Sequence, residues 1–184
     1  MAKNEIAQVK AETFLKNFII DVLDFPIPGI LFKDITPLVA NADAFNLTIN
    51  LLSNYFNNRI NYDYVAGIES RGFWFASALA FLNNKGFIPI RKAGKLPGNN
   101  RIRSSYKTEY SEDTIEIQNN IFPPKASILL IDDVLATGGS MEGACRLINR
   151  ANGCVSGMGV LAEIEALNGR TRLPTCELFS LLKY

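Results

Sequence analysis

Ile128-Leu-Leu-Ile-Asp-Asp-Val-Leu-Ala-Thr-Gly-Gly-Ser140 is the stretch that decides the fold. Its first four residues are apolar without alternation, as in a strand buried on both faces of a parallel sheet. Two adjacent carboxylates, Asp132 and Asp133, come next, and then a loop of small residues that opens a helix. Such a layout is an anion site. Ala136, Thr137, Gly138 and Gly139 let the backbone approach a phosphate, and the loop N–H groups and the positive end of the helix dipole face its charge. Thr137 and Ser140 add hydroxyl donors. The acids themselves repel phosphate; at the C-terminal edge of a sheet they suit sugar hydroxyls or a hydrated metal ion. An isolated Asp-Asp pair also reads as a solvated turn that caps the next helix. The missing Gly-Lys-Ser/Thr excludes a Walker-type loop, and the missing Gly-x-Gly-x-x-Gly excludes the dinucleotide fingerprint.

Working outward, residues 64–68 form a short apolar strand that enters Glu69-Ser-Arg-Gly72 and an apolar helix over 73–82. The strand over 87–91 follows at the distance of a parallel crossover. Further strands are expected over 114–117, 127–131, 155–163 and 177–182, with a helix over 140–152. Upstream, the apolar spacing predicts amphipathic helices over 11–23 and 43–58, the first stopping before Pro26. Residues 25–34 combine two prolines and a glycine with bulky apolar side chains, which suits either a packed arm or a pocket wall. Residues 91–114 show no periodicity and carry five cations between Arg91 and Arg103, so they read as a lid, a binding loop or an ordinary solvated basic stretch. The expected architecture is α/β, a central mostly parallel sheet flanked by helices in one domain over 1–184.

Nineteen Lys and Arg against 18 Asp and Glu leave no overall field for nucleic acid or an acidic membrane, so any anion needs a local site. The chain has no histidine, which removes the usual general base and every imidazole triad. Acid–base work falls to Asp, Glu, Lys or Tyr. Cys145, Cys154 and Cys176 lack metal-site spacing and read as reduced thiols. The polar first ten residues and the absence of any apolar run near 20 residues point to a cytoplasmic protein.

Residues 128–140 resemble the 5-phosphoribosyl-1-pyrophosphate-binding motif of the type I phosphoribosyltransferases. Nearly all the rest is similar to the members of that family that act on adenine. The similarity is carried by Phe25-Pro-Ile-Pro-Gly-Ile-Leu-Phe-Lys-Asp-Ile-Thr-Pro37, Gly67-Ile-Glu-Ser-Arg-Gly-Phe73, Arg91-Lys-Ala-Gly-Lys-Leu-Pro-Gly98, Tyr106-Lys-Thr-Glu-Tyr110 and Phe179-Ser-Leu-Leu-Lys-Tyr184. The resemblance implies a purine-salvage enzyme, a homodimer, that converts adenine and phosphoribosyl pyrophosphate into AMP and pyrophosphate with Mg²⁺ carried on the substrate. It implies that Asp132 and Asp133 hold the ribose hydroxyls, with any protein contact to the substrate-borne metal made via these two acids, and that Ala136, Thr137, Gly138, Gly139 and Ser140 cradle the 5′-phosphate. Ser70 and Arg71 would receive pyrophosphate at a turn with a cis Glu69–Ser70 peptide; without the resemblance, that turn is only a strand-to-helix connection. Arg91, Lys92 and Lys95 would neutralise the diphosphate, and Tyr110 would bind the same substrate. Leu31, Phe32 and Lys33 would take the adenine, with Phe32 stacked on the ring, in a hood over residues 25–36. Residues 92–113 would form a flexible lid.

Arg71 and Glu109 are the catalytic candidates. Glu109 stands in the matching Tyr-x-x-Glu-Tyr pattern as the acid–base group; its alternative is an exposed glutamate paired with Lys92, Lys95 or Lys107. The chain has Lys33 where the family usually has Arg, and in related enzymes for 6-oxopurines a lysine donates to the exocyclic oxygen. Hypoxanthine, guanine or xanthine therefore remain alternative acceptors. A non-catalytic regulator that binds nucleic acid is disfavoured, because there is no spare helix-turn-helix segment, the net charge is only +1 and the chain keeps Glu109 in the lid.

Overall fold

Apolar spacing at the start of the chain suits a helix to residue 23, but helix α1 (Ala2–Lys16) ends earlier and Ile20–Leu23 is drawn out as strand β1. The reason is pairing. β1 lies antiparallel to β2 (Leu31–Asp34) with Asp21 opposite Lys33 and Val22 opposite Phe32. Its backbone groups gain partners across the ribbon, and Ile20-Asp-Val-Leu fits a strand period as well as a helical one. The connection carries a cis Phe25–Pro26 bond and Gly29 at φ 89°. Two helices follow, α2 (Thr36–Ala40) and α3 (Ala42–Asn57). α3 opens with the Ala44 N–H donating to the Asn41 side chain at 2.9 Å. The computed structural model describes residues 2–107 and 112–184, and the chain falls into two units, Met1–Leu51 and Leu52–Tyr184.

In the second unit the order is β3 (Tyr64–Ile68), α4 (Gly72–Leu82), β4 (Gly86–Lys92), β5 (Arg101–Lys107), β6 (Glu112–Gln118), β7 (Ser127–Leu135), α5 (Gly139–Arg150), β8 (Cys154–Glu163) and β9 (Glu177–Lys183). The sheet order is β5-β6-β4-β3-β7-β8-β9. The run from β4 to β9 is parallel, and β6 is antiparallel to both β4 and β5. This is the expected α/β architecture with a mostly parallel sheet. β3 and β7 are buried along almost their whole length because helices cover both faces of the sheet. Ala66 and Ile68 cluster with Met141, Ala144 and Leu147 of α5. On the opposite face a side chain at Gly67 would strike Ala76 of α4.

Residues 101–107, expected to lie in an irregular segment, form β5. The strand hides its period by placing polar residues on the inner face: Ser104 and Tyr106 are buried, while Arg103 and Ser105 are exposed. A buried serine erases the alternation that apolar residues would show.

Candidate active site

β7 runs past its apolar segment and ends with Asp132 and Asp133, which are 8% and 4% exposed. Asp132 accepts the Asp133 N–H at 2.9 Å and the Ser140 hydroxyl at 3.3 Å. Asp133 lies 2.9 Å from Arg71 Nε. Burial pushes the Asp132 carboxyl up, and the charge of Asp133 pushes it further. Burial also raises Asp133, against the pull of the Arg71 guanidinium. Two buried acceptors side by side favour a partner that brings hydrogen-bond donors, as a pair of sugar hydroxyls does.

The loop from β7 to α5 turns at Gly138, which has φ 81° and ψ 0° and stands at the N-cap of α5. No side chain caps that helix, so its first-turn N–H groups have no side-chain partner from the cap. A Cβ at Gly138 would come within 2.5 Å of the Gly169 carbonyl oxygen. The phosphate-sized loop is therefore backed by the turn that begins at Gly169. That turn is fixed by Arg170, which grips buried Glu163 through two contacts of 2.6 and 2.7 Å and reaches the Ser180 hydroxyl at 3.0 Å. Neither Gly169 nor Arg170 stands out in the sequence, because the turn's role depends on the contact of Gly169 with Gly138, 31 residues upstream.

On the facing side the Glu69–Ser70 peptide is cis. Gly72 lets this turn close on β7: a Cβ there would sit 2.9 Å from the Ile131 carbonyl and 3.0 Å from Asp132 Oδ1. A cleft of about 490 Å³ opens between the two, and Ser70, Arg71, Lys92, Lys95, both acids and Ser140 line it. Arg91 and residues 136–139 are not in its lining. Glu69 gathers two cations and an amide: Arg91 Nε at 3.0 Å, Lys95 Nζ at 2.7 Å and the Lys92 backbone N–H at 2.8 Å all reach its carboxylate. Burial alone would raise Glu69, but the bonds from Arg91, Lys95 and the Lys92 amide outweigh it and hold the carboxyl at about 2. Lys92 Nζ lies 3.5 Å from Asp113. Sequence reasoning assigned these cations and passed over Glu69, whose only signal was a carboxylate directly after a buried strand.

Leu31, Phe32 and Lys33 belong to the first unit, on β2. Leu31 is 48% exposed. The Phe32 ring meets Phe25 edge-on at 5.0 Å, and Lys33 Nζ is 2.6 Å from its cross-strand partner Asp21. Glu109 and Tyr110 lie outside the described residues. Among the described residues no group of three or more His, Cys, Asp or Glu side chains converges as a metal cage would require.

A parallel sheet whose central strand ends in paired acids and a glycine loop, facing a turn with cations around it, defines an enzyme class for phosphorylated sugars. A family model for the phosphoribosyl transferase domain matches residues 36–177, and the chain belongs to that family. Within the family, several relatives that match most of the chain carry the name adenine phosphoribosyltransferase. The adenine phosphoribosyltransferase of Halothermothrix orenii is 48% identical over 169 residues, which cover 92% of this chain and 98% of the relative. The crystal structure of the adenine phosphoribosyltransferase from Thermoanaerobacter pseudethanolicus superposes with a TM-score of 0.89 at 37% identity, over 94% of this chain and 99% of that one. The Saccharomyces cerevisiae enzyme, solved with an imino-altritol bisphosphate and adenine, gives a TM-score of 0.88 at 34% identity, over 95% and 99% of the two chains.

Proposed function

We propose that this phosphoribosyltransferase works in purine salvage, transferring the 5-phosphoribosyl group from phosphoribosyl pyrophosphate to adenine with AMP and pyrophosphate as products. The observation that carries the reading is the cleft in which Ser70, Arg71 and Lys95 stand opposite Asp132, Asp133 and Ser140. One side offers cations to a diphosphate. The other offers carboxylates to ribose hydroxyls beside a helix N-terminus suited to the 5′-phosphate. Adenine as acceptor is supported by the names of the relatives and by the adenine bound to the yeast enzyme.

In the transfer, N9 of adenine bonds to the anomeric carbon as the carbon–oxygen bond to pyrophosphate breaks, and the N9 proton leaves. The chain's residues hold the ribose and phosphate in line and draw charge from the leaving group. Arg71, already 2.9 Å from Asp133, links the two halves of the cleft. Glu109 is the proposed proton acceptor, Tyr110 a further substrate contact, and Leu31, Phe32 and Lys33 the proposed purine contacts. The cleft's donor set suits Mg²⁺ carried by the diphosphate and water, to which Asp132 and Asp133 would offer carboxylates, and the ion would neutralise charge on the leaving group.

A homodimer is the proposed assembly. α4 exposes Phe81 at 90%, Leu82 at 49% and Trp74 at 38%, an apolar surface that a second copy would cover. A cytoplasmic setting is supported by the three free thiols, and among the described residues no helix is long and apolar enough to cross a membrane. We read residues 1–184 as one catalytic domain, with 25–36 as its hood and 92–113 as its lid.

The test is AMP formation by the purified chain from adenine, phosphoribosyl pyrophosphate and Mg²⁺, set against hypoxanthine and guanine. Adenine should be preferred by at least about 100-fold in kcat/KM, well inside the roughly 10⁴-fold that hydrogen-bond readout of a polar group reaches. Equal or better use of a 6-oxopurine would overturn the assignment of the acceptor.

A further inference from the structure

The segment after β4 has the glycines of a hinge, yet a buried carboxylate ties its backbone down. Glu116 on β6 has no exposed surface. Its Oε1 accepts the Gly94 and Leu96 N–H groups, both at 3.0 Å, and its Oε2 accepts Arg103 Nε at 3.0 Å. Arg101 Nη1, 3.7 Å from Oε1, also donates to the Leu96 carbonyl at 2.6 Å. Both polar groups of the Leu96 backbone are therefore held by one ion pair, buried Glu116 and part-exposed Arg101. With Gly94 at φ 86°, the Gly94 and Leu96 amides converge on the carboxylate, as backbone amides do around anions, while the Lys95 N–H donates to the Lys92 carbonyl at 3.2 Å. Here the anion is internal. Lys95, between the two anchored amides, projects its ammonium to the cleft, 2.7 Å from Glu69.

Elsewhere in the second unit the charges with little exposed surface are explained. Asp132 and Asp133 face the cleft, and Glu163 holds Arg170 behind the phosphate loop. Glu116 is not itself in the cleft lining. Burial would push its carboxyl up, but the Leu96 amide, Arg103, Arg101 and the Gly94 amide hold it below its ordinary value, so the anchor is ionised at neutral pH.

We infer that Glu116 is a positioning residue for the diphosphate half of the reaction: by clamping the turn at 94–96 it presents Lys95 to the cleft at a fixed height. The inference deepens the proposed function and rests on its reading of Lys95 as a diphosphate ligand. A side chain that only stabilised the β5–β6 ladder would affect every ligand alike through the folded fraction. A positioning residue affects the diphosphate and spares the nucleotide monophosphate.

Titration calorimetry on the full chain, with Mg-pyrophosphate and with AMP as separate probes, distinguishes the two. Lys95→Ala should weaken pyrophosphate about tenfold, a change of roughly 1.4 kcal/mol. Glu116→Gln and Arg101→Met should each do the same while AMP affinity stays within about twofold. In the Lys95→Ala background Glu116→Gln should add nothing, because two changes on one line of action do not sum. Unchanged pyrophosphate affinity in Lys95→Ala would refute the reading of Lys95 and take the inference with it. If Lys95→Ala weakens pyrophosphate and the other two variants do not, the inference alone is wrong. It is also wrong if they weaken AMP and pyrophosphate equally, or if their effect persists without Lys95. Should thermal denaturation show that Glu116→Gln does not fold, Arg101→Met decides, since Arg101 reaches Leu96 from a partly exposed position.

Discussion

The two sides of the cleft meet anions by different means. The β7–α5 side uses backbone: a glycine at positive φ, small residues and a helix N-terminus whose cap is glycine. The side built from residues 69–71 and 91–95 uses side-chain cations, of which Arg91 and Lys95 are already engaged by Glu69 of the chain itself. A backbone site is rigid and cannot be neutralised from within, whereas a site of lysine and arginine needs a counter-ion when no substrate is bound. Glu69 supplies it, and Glu116 fixes the turn that carries one of the cations.

The largest expected effect lies on the backbone side. Gly138→Val places a β-branched residue at φ 81° with its Cβ 2.5 Å from the Gly169 carbonyl, so the loop must move away from the turn behind it. Displacements of about 1 Å at a reacting centre cost roughly 100-fold, and kcat/KM should fall by that much or more. AMP affinity, read by calorimetry, should drop further than pyrophosphate affinity. Equal losses for both ligands would break the division of the cleft into two sites, and an unaltered AMP affinity would remove residues 136–140 from the phosphate.

The backbone side was legible in the sequence because it is local. Strand, acids, small loop and helix are contiguous over 128–140, and each residue type states its part. The cationic side is assembled from three separate segments, at 69–71, 91–95 and 116, which meet only after β3, β4 and β6 have paired. Nothing in the one-dimensional pattern marks Glu116 as the partner of the Leu96 amide, 20 residues away. The missed strand β5 has the same origin, since its inner face carries Ser104 where an apolar residue would have shown the period. At the other end of the chain Ile20–Leu23 satisfies two periods, and only the partner strand β2 decides between them.

A smaller effect, opposite in sign for activity and stability, is expected at Asp132. Its folded carboxyl is raised above the ordinary 3.8 by burial and by Asp133, so ionising it in the folded chain costs free energy. For a raised carboxyl the favourable contribution is present below the unfolded value and is lost as pH climbs through the folded one; at pH 7 the native chain bears that loss. Asp132→Asn should therefore raise Tm at pH 7, by on the order of 2–4 °C per kcal/mol recovered in a chain of this size. The gain should shrink as pH is lowered toward 4. Activity should fall about tenfold or more as charge-assisted bonds to the ribose are lost. A variant that is less stable at pH 7 would show that Asp132 is held by favourable contacts and not strained by its neighbour.

The smallest effect bears most directly on the difference between the two sides. If Glu69 is the internal counter-ion of the diphosphate site, Glu69→Gln removes a charge that substrate must displace while keeping an acceptor for the Lys92 N–H. Arg91 and Lys95 are 32% and 53% exposed, and pairs with such solvent access are worth up to about 1 kcal/mol, so pyrophosphate affinity should rise by no more than about fivefold. AMP affinity, governed by the backbone side, should not change. The cost appears in stability and has a defined pH signature. Glu69 is held at about 2 against an ordinary 4.5, so its stabilisation is complete above 4.5 and is lost as pH falls toward 2. Wild type should be the more stable protein at pH 7, and its margin over Glu69→Gln should close between pH 4.5 and 2. Weaker pyrophosphate binding in the variant would reverse the assignment: Glu69 would then be holding Arg91 and Lys95 in their working positions, as Glu116 holds the turn beneath them, and the cationic side would be prebuilt like the backbone side it faces.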